Sequence, residues 1–158
     1  MIRDRPKIPP DYGVTKADAF IEWTHVEGRF VSERVYWIAV TDEAGRPHVR
    51  PIDGLYVDDA LFVGGSPQTR WVSLIRPGTR VTVHLDGPEV TIWEGTVEVL
   101  QDVADGLAIR LAEASNAKYP EYRMTPSAYR HGVVTIRPTK VIAWTDITRD
   151  PTRFRFVG

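Results

Sequence analysis

Two short stretches carry residue types able to hold an anion. In GGSPQTRW, Gly64 to Trp71, two glycines, the hydroxyls of Ser66 and Thr69 and the guanidinium of Arg70 lie between an apolar run, ALFV, and VSLIRPG, whose apolar spacing is helical. A helix start leaves backbone N–H groups unpaired, and a neighbouring guanidinium adds positive charge, so this composition suits a phosphate or carboxylate. The same residues also make an ordinary turn. In GRPHVRPIDG, Arg46, His48 and Arg50 alternate, which on a strand sends them to one face, opposite Pro47, Val49 and Pro51. That face is either part of a site or a solvated edge. Pro51 confines the strand to an edge or bulge, where backbone is left free to meet a ligand.

Other chemistries find less support. His25, His48, His84 and His131 are scattered without zinc-ligand spacing, so no metal site is expected; a heme ligand among them remains open. Ser66 and Ser73 lack a G-x-S-x-G context, which disfavours acyl transfer. The absence of cysteine removes disulfides and thiolate catalysis and is compatible with a reducing cytoplasm. A formal charge of -1 gives no global field toward nucleic acid or an acidic membrane, and no segment approaches a membrane span. A soluble, cytoplasmic protein acting on a small molecule is expected, without a nucleic-acid or membrane partner.

With 158 residues, 42% of them hydrophobic, the chain suits one domain, with residues 1–14 an extended, proline-rich arm. Thr15 followed by Asp18 suggests a helix cap, and Phe20, Trp23, Glu27, Phe30 and Val31 space as one face of a helix from about Lys16 to about Glu33. The period then changes to two. VYWIAVT, PHVRPIDGLYV with a bend near Gly54, ALFVGG and RVTVHLD read as strands. EVTIWEGTVEVLQD alternates too, but Val90 and Ile92 are out of phase with Val97 and Val99, so a bulge at Gly95 is expected to reset the register. A helix capped by Asp102 and running to about Asn116 should bury Leu107, Leu111 and Ala114, before GVVTIRP and TKVIAWTDI close the sheet. The fold class is mainly β with peripheral helices, a small barrel or a sandwich. Trp37, Trp71, Trp93 and Trp144 serve a core or an interface, and the tyrosine-rich segment 117–132 is either a pocket-lining loop or a surface excursion.

In order and spacing these pieces resemble the flavin-binding split-barrel family, which includes the pyridoxamine 5'-phosphate oxidases and the deazaflavin-dependent reductases. The resemblance spans nearly the whole chain, from the helix before the first strand to the closing TRFRF. It implies an antiparallel split β-barrel, a homodimer with its site at the interface, and FMN or a deazaflavin (coenzyme F-420) exchanging hydride with a small organic acceptor. Asp42 to Pro47 approximates the family's D-x-x-G-x-P turn, and Thr69-Arg70 match the first two members of its Ser/Thr-Arg-Lys phosphate clamp. The third member is Trp71, and the family's Lys-x-x-Asn-Leu becomes Trp71, Leu74 and Ile75. The resemblance thus assigns cofactor binding to Thr69 and Arg70, with Arg50 in support, His48 and Ser66 as secondary candidates, and Trp71 either stacking on a ring or blocking it. Arg153 and Arg155 are expected to return toward the substrate. No catalytic residue is assigned. Loss of the lysine also admits a non-catalytic barrel that binds flavin or heme.

Overall fold

The computed structural model describes residues 1–14 and 17–157. A short strand β1 (Ile2–Asp4) opens the chain, followed by helix α1 (Trp23–Ser32). The helix is shorter than the apolar spacing suggests: residues 17–22 form neither helix nor strand, while Thr15 and Lys16 lie outside the described residues. The reason is competition for backbone partners. Ala19 N–H donates to Arg149 O (3.2 Å) and Ile21 N–H to Thr152 Oγ1 (2.8 Å), and Phe20 sits under the Arg5 guanidinium at 3.8 Å instead of on a helical face.

Strands β2 (Tyr36–Thr41), β3 (Pro47–Ile52), β4 (Gly54–Val57) and β5 (Ala60–Val63) follow, then the five-residue helix α2 (Arg70–Leu74). The expected bend near Gly54 is a break at Asp53, and a Cβ on Gly54 would collide with the ring of Tyr36. After β6 (Arg80–Leu85), β7 (Val90–Leu100), α3 (Asp105–Lys118) and single 3-10 turns at Pro120–Tyr122 and Pro126–Tyr129, the chain ends with β8 (Val133–Trp144) and β9 (Thr152–Arg155). Asp102 does not cap α3; the N-cap is Ala104, with no side-chain bond, and the buried face is Ala108, Leu111, Ala112 and Ser115.

All pairings are antiparallel, along β3-β2-β6-β7-β8-β5-β4, with β9 and β1 branching from the other half of β8. Because β3 runs directly into β4, the two ends of the ladder are joined by chain continuity at Asp53 rather than by hydrogen bonds. The sheet is therefore an open, split barrel. Its register shift falls between Glu94 and Gly95, as expected, but the extra residue is Thr139 on β8. Thr91, Trp93, Gly95 and Val97 point inward without interruption along β7, whereas β8 changes phase between Ile136 and Val141. Gly95 permits this because a Cβ there would meet Arg137 O.

The barrel interior is one apolar cluster around Phe30, Tyr36, Ile38, Trp93, Val141 and Phe154. A second cluster lies outside the barrel, where Leu55, Val57 and Phe62 meet Ala108 and Leu111 of α3. Strand β5 is buried on both faces, as its unbroken apolar sequence allows. Lys118 ties these layers together: its Nζ donates to Phe30 O (2.8 Å), Tyr36 OH (3.0 Å) and Gly54 O (2.8 Å), and burial pushes its ammonium down to about 8.

Strand β3 is an edge, paired only with β2. Pro47 and Pro51 stand opposite Thr41 and Trp37, and having no N–H they must occupy positions whose amides would point away from β2. Among the described residues no helix is long and apolar enough to cross a membrane. The N-terminal arm is not merely extended, since β1 pairs with β9. There Arg153 and Arg155 both chelate Asp4, with Nε–Oδ1 at 2.7 Å and Nη2–Oδ2 at 2.7 Å respectively, so these arginines clamp the terminus and do not reach the site.

Candidate functional site

The corner between β5 and α2 is first of all a turn. Thr69 donates to Ser66 O through both its N–H (2.9 Å) and its Oγ1 (2.7 Å), and Ser66 Oγ accepts from Gln68 N–H at 3.3 Å. Both hydroxyls thus build the turn, and the helix it starts is a single turn longer than a bend. Arg70 points back across the sheet. Its Nη2 lies 3.7 Å from Asp42 Oδ2, and its side chain is 57% exposed.

Asp42 is the centre of this corner. Its carboxylate, 3% exposed, accepts from the N–H groups of Ala44 (3.0 Å) and Arg46 (2.9 Å) and from Arg46 Nε (2.9 Å), and His48 Nε2 lies at 3.8 Å. The Arg46 backbone bond comes first among the causes that hold the Asp42 carboxyl below its ordinary value. Gly45, at φ 76°, makes the tight turn that brings these donors round. Arg46, His48 and Arg70 therefore converge on one carboxylate, with two guanidiniums against one acid. Arg50 does not join them: its Nη1 folds back onto Val49 O at 2.7 Å, on the edge of β3.

Beside the corner lies a cleft of about 260 Å³ between the end of β3 and the start of the turn, lined by Pro51, Ile52, Asp53, Gly64, Gly65 and Trp71. Arg50 precedes its first wall in sequence and Ser66 follows its second. Trp71 is no surface group. It is 8% exposed and belongs to the barrel core, and a Cβ on Gly65 would come within 2.5 Å of its Cζ2, so Gly65 is required for the indole to lie flat against the turn. The position that a phosphate lysine would take is thereby filled by a buried ring that walls the cleft. Gly64 differs: a Cβ there meets nothing within 4 Å, and its φ is not left-handed, so nothing in the chain's own packing demands glycine.

Asp53, Gly64, Gly65 and Trp71 also line a larger cavity of about 590 Å³, which the cleft adjoins. Its far walls come from the segment after α3, including Tyr119, Tyr122, Met124 and Tyr129. The tyrosine-rich segment is thus a pocket lining. Tyr119 and Tyr122 stack at 5.4 Å, and Tyr122 OH donates to Asp53 Oδ2 at 2.5 Å, which raises the phenol above its ordinary value. Sequence reasoning singled out this segment and the Asp42 turn but missed Asp53 and the role of Asp42 as a hub. The one available signal was a carboxylate directly before a glycine at the strand break.

No protein-family model matches this sequence, and no curated protein matches it. Solved structures do. They include the FAD binding protein from Mycobacterium smegmatis, at 21% identity and a TM-score of 0.56, covering 86% of this chain and 97% of that one. An FAD-binding protein from Mesorhizobium loti aligns at 18% identity and 0.59, covering 84% and 93%. The fold is the flavin-binding split barrel. The heme binding protein from Mycobacterium smegmatis is a further neighbour, at 15% identity and a TM-score of 0.62, covering 82% of this chain and 56% of that one. Split barrels thus serve both ligands, and at these identities the likeness is one of fold.

Proposed function

We propose that the chain is a flavin-type oxidoreductase that binds FMN or the deazaflavin coenzyme F-420 in the cleft and exchanges hydride with a small organic acceptor. The observation that carries this reading is the cleft itself, an edge strand facing a glycine pair, with Arg50 and Arg70 adjacent in sequence to its walls. Gly64 keeps open a space that a side chain would fill, which suits the close approach of a flat ring to backbone. Arg70, with Arg50 in support, would meet a phosphate, and Ser66 and Thr69 shape the turn that presents it; His48 orients toward Asp42 and acts at most through it. The bound ring supplies the hydride chemistry, so the protein's part is to bind, orient and exclude water. The exposed Val35 and Val49 beside the β3 edge support a homodimer that covers this side of the cleft. Sedimentation should then give a dimer at micromolar concentration, and a stable folded monomer would remove that part of the reading.

A heme- or flavin-carrying barrel is the second reading. His131, an imidazole on the rim of the larger cavity, favours heme within it. The absorption spectrum of the purified protein, followed by titration with FMN, coenzyme F-420 and heme, separates the two. Saturable binding of either flavin together with turnover of a small organic acceptor supports the oxidoreductase; binding of heme alone, or of a flavin without turnover, supports the carrier.

A further inference from the structure

The two adjoining hollows share the Asp53 carboxylate, and among the described residues neither is walled by a lysine or arginine. Arg70 is held at Asp42, before β3 begins, whereas the larger cavity lies beyond its end. Apart from the phenols of Tyr119, Tyr122 and Tyr129, the ionisable groups of that cavity are the Asp53 carboxylate and the His131 imidazole. Otherwise the surface is apolar and aromatic, with Phe62 and Trp71 on the barrel side and the stacked Tyr119–Tyr122 pair opposite. Met124 adds a polarisable thioether. An anion entering here would lose its water and gain no cation, an expensive exchange. A flat aromatic molecule would gain face and edge contacts with these rings. A donor on that molecule would find Asp53 Oδ1, since among the described residues Tyr122 OH bonds Oδ2 and no side chain bonds the other oxygen.

We infer that the larger cavity is a substrate pocket for flat aromatic compounds bearing a hydrogen-bond donor or a positive charge, that Asp53 selects for that group, and that anions are excluded. The role as substrate pocket rests on the cofactor reading of the cleft; the binding preference does not. The volume is within the range of small-molecule sites, roughly 300 to 1,000 Å³. The four shared residues place such a compound against whatever fills the cleft, which hydride exchange requires.

The test uses three naphthalene probes that differ in one group: 1-naphthylmethylamine, 2-naphthol and 1-naphthoate. Calorimetric titration of the whole chain should show the amine and the naphthol binding, with naphthoate at least about fivefold weaker than the amine, the scale of one charge interaction at about 4 Å in the dielectric of bulk water. Asp53→Asn should bring amine and naphthoate to similar affinity, with naphthol weakened less than the amine, because an amide oxygen still accepts from its hydroxyl. Ala128→Trp, at an exposed position on the cavity wall, should weaken all three, and circular dichroism checks that both variants fold. No binding of any probe, equal binding of naphthoate and amine to the unaltered chain, or indifference to Ala128→Trp overturns the inference. A separate FMN titration keeps the two claims apart. FMN failing while the probes behave as described sinks the cofactor reading alone, and FMN binding without the probes sinks the pocket alone.

Discussion

Removing one charge from each side of the Asp42 corner should move cofactor affinity in opposite directions. Arg70→Ala takes away a guanidinium that is 57% exposed and held only loosely, at 3.7 Å from Asp42. A charge-assisted hydrogen bond contributes about 1.5 to 3 kcal/mol, and this exposure places Arg70 at the lower end. About 1.5 kcal/mol corresponds to roughly a tenfold weaker Kd. Asp42→Asn acts in the other sense. Asparagine keeps an oxygen to accept from the Ala44 and Arg46 N–H groups, so the backbone of the turn holds, while the Arg46 guanidinium loses its acceptor at Oδ2 and the negative charge that would face a phosphate is removed. For a dianion about 7 Å away in near-aqueous dielectric, the relieved repulsion is on the order of 1 kcal/mol, or about fivefold tighter binding.

Isothermal titration of both variants with FMN and with coenzyme F-420, at low salt and again near 0.5 M, reads these effects. At the higher salt screening shortens to about 4 Å, and the gain from Asp42→Asn should shrink toward nothing. The loss from Arg70→Ala should shrink less, because a direct hydrogen bond is less screened. If neither substitution changes either affinity, the corner is a turn locked by Asp42 and nothing more. If both weaken binding equally, Asp42 acts by ordering the turn and the charge reasoning is wrong.

The glycine pair offers a second contrast. Gly64→Ala should leave the thermal midpoint unchanged yet weaken flavin binding, whereas Gly65→Ala should destabilise the fold by roughly 1 to 3 kcal/mol through its contact with Trp71, both read by thermal denaturation beside titration. Trp71→Lys, which introduces the cation found at this place in the family the sequence resembles, should lower stability sharply in denaturant titration, because it places an ammonium in a core position that is 8% exposed. Finally, the arginines clamping Asp4 hold its carboxyl down to about 2, below the ordinary 3.8. A depressed carboxylate stabilises fully above its unfolded pKa, so the clamp should persist above about pH 4 and fail as pH falls toward 2. Protection of the amides of residues 2–4, taken relative to their intrinsic exchange rate at each pH, should show that release, and Asp4→Asn should abolish the change in protection between about pH 4 and pH 2.

Strand positions were legible because their period of two is written in single side chains, and the fold class followed from their number and turns. What escaped was anything decided between segments. Residues 17–22 have helical spacing, yet their amides are claimed by Arg149 and Thr152 more than a hundred positions away. The phase change expected in β7 is carried instead by Thr139 on its neighbour, because an extra residue on either strand offsets the same ladder. Arg46, His48 and Arg50 looked equivalent by alternation, but the buried carboxylate of Asp42 captures the first two and leaves the third on the edge. Trp71 was read as a possible ring partner at a clamp, and only packing against Gly65 shows that its indole is a wall.

The indole also bears on where the proposed phosphate would sit. Trp71 is 8% exposed and belongs to the core, so under the proposed reading an anion at this corner would be left to the exposed guanidinium of Arg70. That guanidinium is held at Asp42, before β3 begins, whereas Asp53 follows the other end of the strand and lines both hollows. A ligand with a charged end and a flat end would then place its charge away from Asp53 and its ring against Gly64 and Gly65, because the reverse arrangement would add a like-charge repulsion. The separation of Asp53 from Arg70 would in that case do the sorting that a lysine at position 71 would otherwise share.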